Sequence, residues 1–176
     1  MEKDTGTILR LYPLGENGLI ICWCTAAHGI IRTAARNART PGSELAGRID
    51  LFHECELTFR PAKQGDLYSL ASAALLSPRL GLRQNLTKLR LAGYMAQLLT
   101  ATVEAGAPDP AWHELICGAL DYVAQSAPRA AVLYHFEKRL AELHGIHVPG
   151  TPAYPALMRH FQSLPAGRRE LLEQLG

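Results

Sequence analysis

The stretch LIICWCT, Leu19–Thr25, decides the fold. It is rich in β-formers and apolar on both faces, with Leu19, Ile21 and Trp23 on one side and Ile20, Cys22 and Cys24 on the other. A strand of that kind is covered from both sides. Breakers bound it: LGENG, 14–18, makes a turn before it and AAHG, 26–29, a turn after it.

Working outward, TGTILRLYP alternates around Ile8–Leu11 and reads as a strand that ends at Pro13. IIRTAAR follows as a third strand. RIDLFHECELTFR reads as a fourth, with Ile49, Leu51, His53, Cys55 and Leu57 on one face. Phe52 and Phe59 do not share a face there, which calls for a bulge or an early strand end. PAKQGD breaks the chain and LYSLASAALL is the fifth element. Five short strands in succession give a small barrel or sandwich, and the two-sided apolar strand favours a barrel with something packed on its outside.

From Ser77 onward the spacing is helical. RQNLTKLRLAGYMAQLLTATVEAG carries one stripe at Leu86, Leu89, Gly93 and Ala96 and another at Leu91, Met95, Leu98 and Leu99, so its helix is central. DPAWHELICGALDYVAQ has Asp109 as N-cap and Pro110 at the first helical position. A third helix runs from Pro128 to a C-cap glycine at Gly145. Two short helices close the sequence, near 156–164 and 167–175. The expected fold class is α+β: a barrel over 1–72, then a helical bundle over 73–176.

With 18 basic and 16 acidic side chains the net charge is only +2, so any polyanion-binding surface must come from local clustering. The N-terminus has no apolar leader core and no apolar run approaches membrane-spanning length, so the expected location is cytoplasmic, with no membrane partner. The four cysteines form no C-x-x-C pair, so neither a bound metal nor any other cofactor is expected, and reduced buried thiols are.

Clustering does occur. Arg32, Arg36, Arg39 and Arg48 follow the third strand, with Glu44 the one acid between the first and last of them. Arg32 and Arg36 share a strand face with only Ala34 between, and Arg39 extends the charge into the TPGSELAG loop. Several guanidiniums in a row can follow a nucleic-acid backbone. Pairing with Asp50, Glu54 and Glu56, or a solvated face, is the bland alternative. A second acid-free basic stretch, Arg79, Arg83, Lys88 and Arg90, tips the reading toward a polyanion, because residues 104–121 hold four acids and no Lys or Arg.

Catalytic signatures are missing: no Gly-rich phosphate loop, no nucleophile elbow, no H-E-x-x-H. A small hydrolase on Glu54, Glu56 and His53 lacks a third group to complete a site. Trp23 and Phe52 could stack on bases, and Trp23 suits a core equally well. The expectation is a binding protein, not an enzyme.

Residues 6–149 resemble the RecO family of bacterial recombination mediators. The likeness is carried by the Gly15-Glu16 turn, T-x-x-HG-x-x-R ending at Arg32, AR-x-AR at Ala35–Arg39, L-x-G-x-x-x-x-F at Leu45–Phe52, Leu82-Arg83, AGY at Ala92–Tyr94, PDP at Pro108–Pro110 and FEKRLAELHG at Phe136–Gly145. It implies an OB-fold followed by a helical domain. It also implies binding of single- and double-stranded DNA, strand annealing, and recombinase loading with RecR and the tail of single-stranded-DNA-binding protein. The resemblance places DNA contacts at Arg36 and Arg39, with Arg32 beside them; Arg48 and Arg83 join them from the charge pattern. Lys88, Arg90, Lys138 and Arg139 would rim a site for an acidic partner tail. Three departures stand out. The family's glycine in AR-x-AR is Asn37, which tolerates positive φ. The four-cysteine zinc module of many relatives has no counterpart after Cys117. Tyr134 and His135 stand before Phe136-Glu137, where relatives have arginine. A RecO-derived adaptor with weak DNA binding is the runner-up.

Overall fold

The computed structural model describes residues 1–62 and 65–176; Lys63 and Gln64, within the expected PAKQGD break, lie outside the described residues. The chain divides into two compact units, 1–79 with 104–113, and 80–103 with 114–176.

The first unit is a closed barrel. Its strands are β1 (Glu2–Leu14), β2 (Gly18–Thr25), β3 (Gly29–Ala35), β4 (Glu54–Arg60) and β5 (Leu67–Ser77). Their order around the barrel, β1-β2-β3-β5-β4, is that of an OB-fold, and β3 and β5 pair in parallel. Ile8, Ile21, Trp23, Ile31, Cys55, Leu57, Phe59, Leu70 and Ala73 fill the interior. Trp23 is fully buried, and its indole N–H donates to Thr33 Oγ1 at 2.8 Å, so burial leaves no donor unpaired. Phe52 is buried too, so neither ring is open to a base.

One end of the outer face of β2 and β3, at Cys24 and Ile30, is covered; the other end, at Ile20, Arg32 and Ala34, is not buried. Residues 104–113 run along the end of β3, where Gly106 N–H donates to Ile30 O at 2.9 Å and Ile30 bridges Ala105. The approach demands glycine at 29: its φ is 68°, and a Cβ there would lie 2.1 Å from Ala107 O.

Three sequence expectations change. The fourth strand starts at Glu54, not Arg48, because Phe52 takes φ 66° and turns the chain; its N–H donates to Ile8 O while Ile8 N–H donates to His53 O. Ile49 and Leu51 therefore leave the strand, and Leu51 is exposed. β5 continues to Ser77, so the barrel unit reaches Arg79 instead of ending near 72. Arg79 does not belong to a basic surface. It is buried, and its guanidinium donates to Phe52 O at 2.8 Å, Thr7 Oγ1 at 3.2 Å and Glu54 Oε2 at 3.1 Å. A buried cation is tolerable only when so satisfied; removing its acid partner would cost about 3 kcal/mol.

The second unit begins with a 3-10 turn, Leu80–Gln84, followed by α1 (Leu86–Thr102). Asn85 caps α1, its side chain accepting from the N–H of Thr87 and Lys88. α2 (Pro110–Gln125) has the expected Asp109 cap, accepting from Ala111 N–H at 2.9 Å, and its first turn groups with the barrel unit. α3 is Ala130–Leu143, α4 Ala153–His160 and α5 Arg168–Leu175. α1 buries Leu91, Met95, Leu98 and Leu99, the second of its two stripes; Leu86, heading the first, is exposed. α3 starts two residues after the expected Pro128, and α4 starts at Ala153 because Pro155 fits a first helical turn. Glu137, buried on α3, accepts from Arg168 Nε at 2.6 Å and Nη2 at 2.8 Å, and the Arg168 guanidinium lies 3.9 Å from the Tyr154 ring centroid. Among the described residues no helix is long and apolar enough to cross a membrane.

One end of the barrel is tied by charge. Asp4 accepts from the N–H groups of Thr5, Ala27 and His28 and from His28 Nδ1 at 2.6 Å, while His28 Nε2 lies 3.0 Å from Glu2. Burial works against the charged form of Asp4, but the His28 and backbone hydrogen bonds outweigh it, and its pKa is lowered from the ordinary 3.8. A lowered carboxyl pKa adds stability that is complete above the unfolded value and is lost as pH falls through the folded one. Asp4→Asn is therefore expected to lower stability at neutral pH and to flatten its decline below about pH 4, read from urea midpoints across an acid pH series.

Candidate nucleic-acid interface

The register of β1, β2 and β3 builds a surface. Outward side chains fall in cross-strand rows: Arg10 opposite Cys22 and Cys22 opposite Arg32, then Tyr12 opposite Ile20 and Ile20 opposite Ala34. Arg36 follows just past the end of β3. Arg10, Arg32 and Arg36 are exposed, Tyr12 is 42% exposed, and Ile20 and Ala34 make a half-buried floor. Arg10 Nη1 donates to Tyr12 Oη at 3.1 Å. Cys22 lies buried in the arginine row; burial pushes its thiol up to about 11, against the pull of Arg10 and Arg32. It is a spacer at neutral pH and no nucleophile. Exposed guanidiniums on a face that also carries an exposed aromatic ring can bind phosphates and offer a π-face to a base.

Arg10 and Tyr12 were not singled out from the sequence. The signal was present in Leu9-Arg10-Leu11-Tyr12, a clean alternation, but a bulge between Ile8 and Arg10 resets the faces of β1 at that point. Ile8 and Leu11 both point inward as a result, and Arg10 and Tyr12 point out.

The arginines singled out from the sequence have separate duties. Arg32 faces outward as expected, with Nη2 2.5 Å from Asp66 Oδ2; its partner is none of the three acids considered from the sequence. Arg36 is exposed and has no side-chain partner among the described residues. Arg39 donates from Nη2 to Gly15 O at 3.2 Å and Glu16 O at 2.7 Å, and its N–H to Asn17 O at 2.9 Å, so it clamps the β1–β2 turn. Asn37 beside it keeps a negative φ, and the tolerance ascribed to it is not called on. Arg48 donates to Ala73 O at 3.2 Å, on the β4–β5 side of the barrel. Arg83 is exposed on the 3-10 turn of the helical unit.

The four residues assigned to a partner rim also have intramolecular contacts. Lys88 Nζ donates to Ala124 O at 3.0 Å, satisfying a carbonyl in the last turn of α2. Arg90 donates to Gln174 Oε1 at 2.8 Å. Arg139 donates to Glu142 Oε2 at 2.6 Å, and Lys138 lies 3.8 Å from the same carboxylate. The hydrolase alternative finds no site: Glu54 holds Arg79, Glu56 is exposed, and His53 is buried with Nδ1 2.9 Å from Arg48 O.

The split among the arginines is measurable. Arg39→Ala leaves two turn carbonyls without their donor and is expected to cost about 1 kcal/mol. Arg36→Ala is expected to stay within about 0.5 kcal/mol of the wild type. Urea denaturation of the two variants side by side checks this.

Residues 1–79 match the family Recombination protein O N terminal, and residues 83–149 match Recombination protein O C terminal. Among curated relatives, the DNA repair protein RecO of Cyanothece sp. (strain PCC 7425 / ATCC 29141) is 33% identical over 146 residues, covering 82% of this chain and 49% of its own. DNA repair protein RecO of Anaeromyxobacter sp. (strain K) is 30% identical over 135 residues, 77% of this chain and 53% of its own. That of Acaryochloris marina (strain MBIC 11017) is 33% identical over 130 residues, 74% of this chain and 43% of its own. The chain thus spans about half the length of the curated relatives it matches. With both family regions matched in order along a barrel and a helical unit, the chain belongs to the RecO family.

Proposed function

We propose that this chain acts in DNA repair as a DNA-binding recombination mediator, and that the outer face of β1, β2 and β3 holds the DNA. The observation that carries the reading is the row Arg10–Cys22–Arg32 with Tyr12 and Arg36 beside it. Phosphates bind the guanidiniums, the tyrosine ring stacks on a base, and no base edge is read, so binding is tolerant of sequence. Kinship with relatives named for DNA repair supports the role. Strand annealing, recombinase loading and work with RecR are the finer parts of the proposal. They fit a face that neutralises backbone charge without enzymatic chemistry.

The test is a fluorescence polarisation titration with single-stranded DNA across a salt series. The log of affinity falls with log salt by roughly 0.7 per phosphate contact on single strands. Arg10→Ala, Arg32→Ala and Arg36→Ala together are expected to weaken binding for every sequence and to flatten the slope by about 2. Unchanged affinity and slope in the folded triple variant would remove this face as the DNA site. The adaptor reading has one observation in its favour: Arg32, Arg39 and Arg48 all have intramolecular partners. It requires that the wild type itself show weak binding or none at moderate salt.

An acidic partner tail, such as that of single-stranded-DNA-binding protein, is proposed to dock on the helical unit. A groove of about 510 Å³ lies there between α1 and α5, lined by Leu89, Gly93, Tyr94 and Leu171 with Arg90 at its edge. Crosslinks from a tail peptide are expected on these helices; crosslinks confined to residues before Ser69 would reject the assignment.

A further inference from the structure

Asp66 stands immediately before β5, where that strand runs parallel beside β3 and Leu67 pairs with Arg32. Its Oδ2 lies 2.5 Å from Arg32 Nη2, in a pair whose side chains are 67% and 49% exposed. The hydrogen bond from Arg32 is the chief reason the Asp66 carboxyl titrates below its ordinary range.

The three cations of the barrel face differ in what they already hold. Arg10 donates to the neutral Tyr12 hydroxyl, Arg36 has no side-chain partner among the described residues, and Arg32 holds an anion. A carboxylate oxygen presents to a guanidinium much the same acceptor as a phosphate oxygen. We propose that Asp66 is a resident anion of the DNA-binding face, competing with a backbone phosphate for Arg32 and thereby setting how tightly the face takes up DNA. The inference rests on the reading that this face binds DNA.

An exposed ion pair shifts an equilibrium by about one- to five-fold. That is weak enough for a strand bringing several phosphates at once to displace the carboxylate. The displacement still has a cost. Arg32 must leave Asp66, and the freed carboxylate then stands beside a phosphate of like charge. The second part of that cost is screened by salt, since the Debye length falls from about 10 Å at 0.1 M to about 3 Å at 1 M.

The experiment is polarisation titration of a labelled oligothymidylate with four forms of the full chain: wild type, Asp66→Asn, Arg32→Ala, and the two substitutions together. Both side chains are exposed, so thermal denaturation is expected to show all four folded. Asp66→Asn is expected to tighten binding by about two- to five-fold at low salt, with the gain shrinking as salt rises. In the Arg32→Ala background the same substitution is expected to gain much less, because the cation it liberates is gone. Two results overturn the proposal while leaving the face as the DNA site: Arg32→Ala weakens binding but Asp66→Asn changes nothing, or Asp66→Asn gains equally in both backgrounds. If Arg32→Ala and a separate Arg36→Ala variant both bind as the wild type does, the DNA-face reading fails and the role of Asp66 fails with it.

Discussion

The barrel depends on β1 passing from one partner to the other along its length. Residues 2–7 of β1 pair with β4, and residues 6–14 pair with β2, so Gly6 and Thr7 sit where the two ladders overlap. A straight strand cannot serve both partners with the same faces inward. The bulge between Ile8 and Arg10 resolves this by resetting the alternation of the second half. A Cβ on Gly6 would come within 2.9 Å of the Thr25 side chain, so the crowded overlap also needs its glycine. The same bulge aims Arg10 and Tyr12 outward, which makes the surface proposed to hold DNA a by-product of barrel closure.

The seam where β1 passes from one partner to the other is held by Arg79. Its guanidinium reaches Thr7 of β1, Glu54 of β4 and the carbonyl of Phe52, the residue whose left-handed backbone ends the loop before β4. A hydrophobic side chain there could fill the space but could not satisfy that carbonyl. Arg39 does similar work on the β1–β2 turn, holding its carbonyls with donors that would otherwise face water. Two of the arginines that give the sequence its basic look are thus occupied with the barrel's own backbone.

What was legible in the sequence and what was not follows from this division. The inward faces of β2 and β3 follow from alternation and turn residues, because both strands are regular from end to end, whereas the OB-fold was implied only by the family resemblance. The start of β4 and the outward aim of Arg10 were not legible, because each depends on one irregular backbone position, Phe52 in one case and the bulge in the other. The length of β5 was obscured by its alanines, which suit either a strand or a helix and let only the ladder to β4 decide. Arg32 faces outward as the period of two in a regular strand requires, while Arg36 is exposed just past the end of that strand. Arg79 could not be separated from Arg83 by sequence, because the acceptors that bury it come from residues 7, 52 and 54.

Charge counting therefore misjudges such a surface in both directions. It includes Arg39, Arg48 and Arg79, which hold backbone carbonyls, and it misses Arg10, whose place depends on a bulge. It also treats Asp66 as one acid among sixteen, although this carboxylate sits on a cation of the face. On a chain with a net charge of only +2, no broad field adds to what these few groups do. Affinity for a polyanion then rests on which guanidiniums are free to turn toward it. That is a matter of hydrogen-bond partners and strand register, and on the proposed reading a single neighbouring carboxylate counts against one of the arginines.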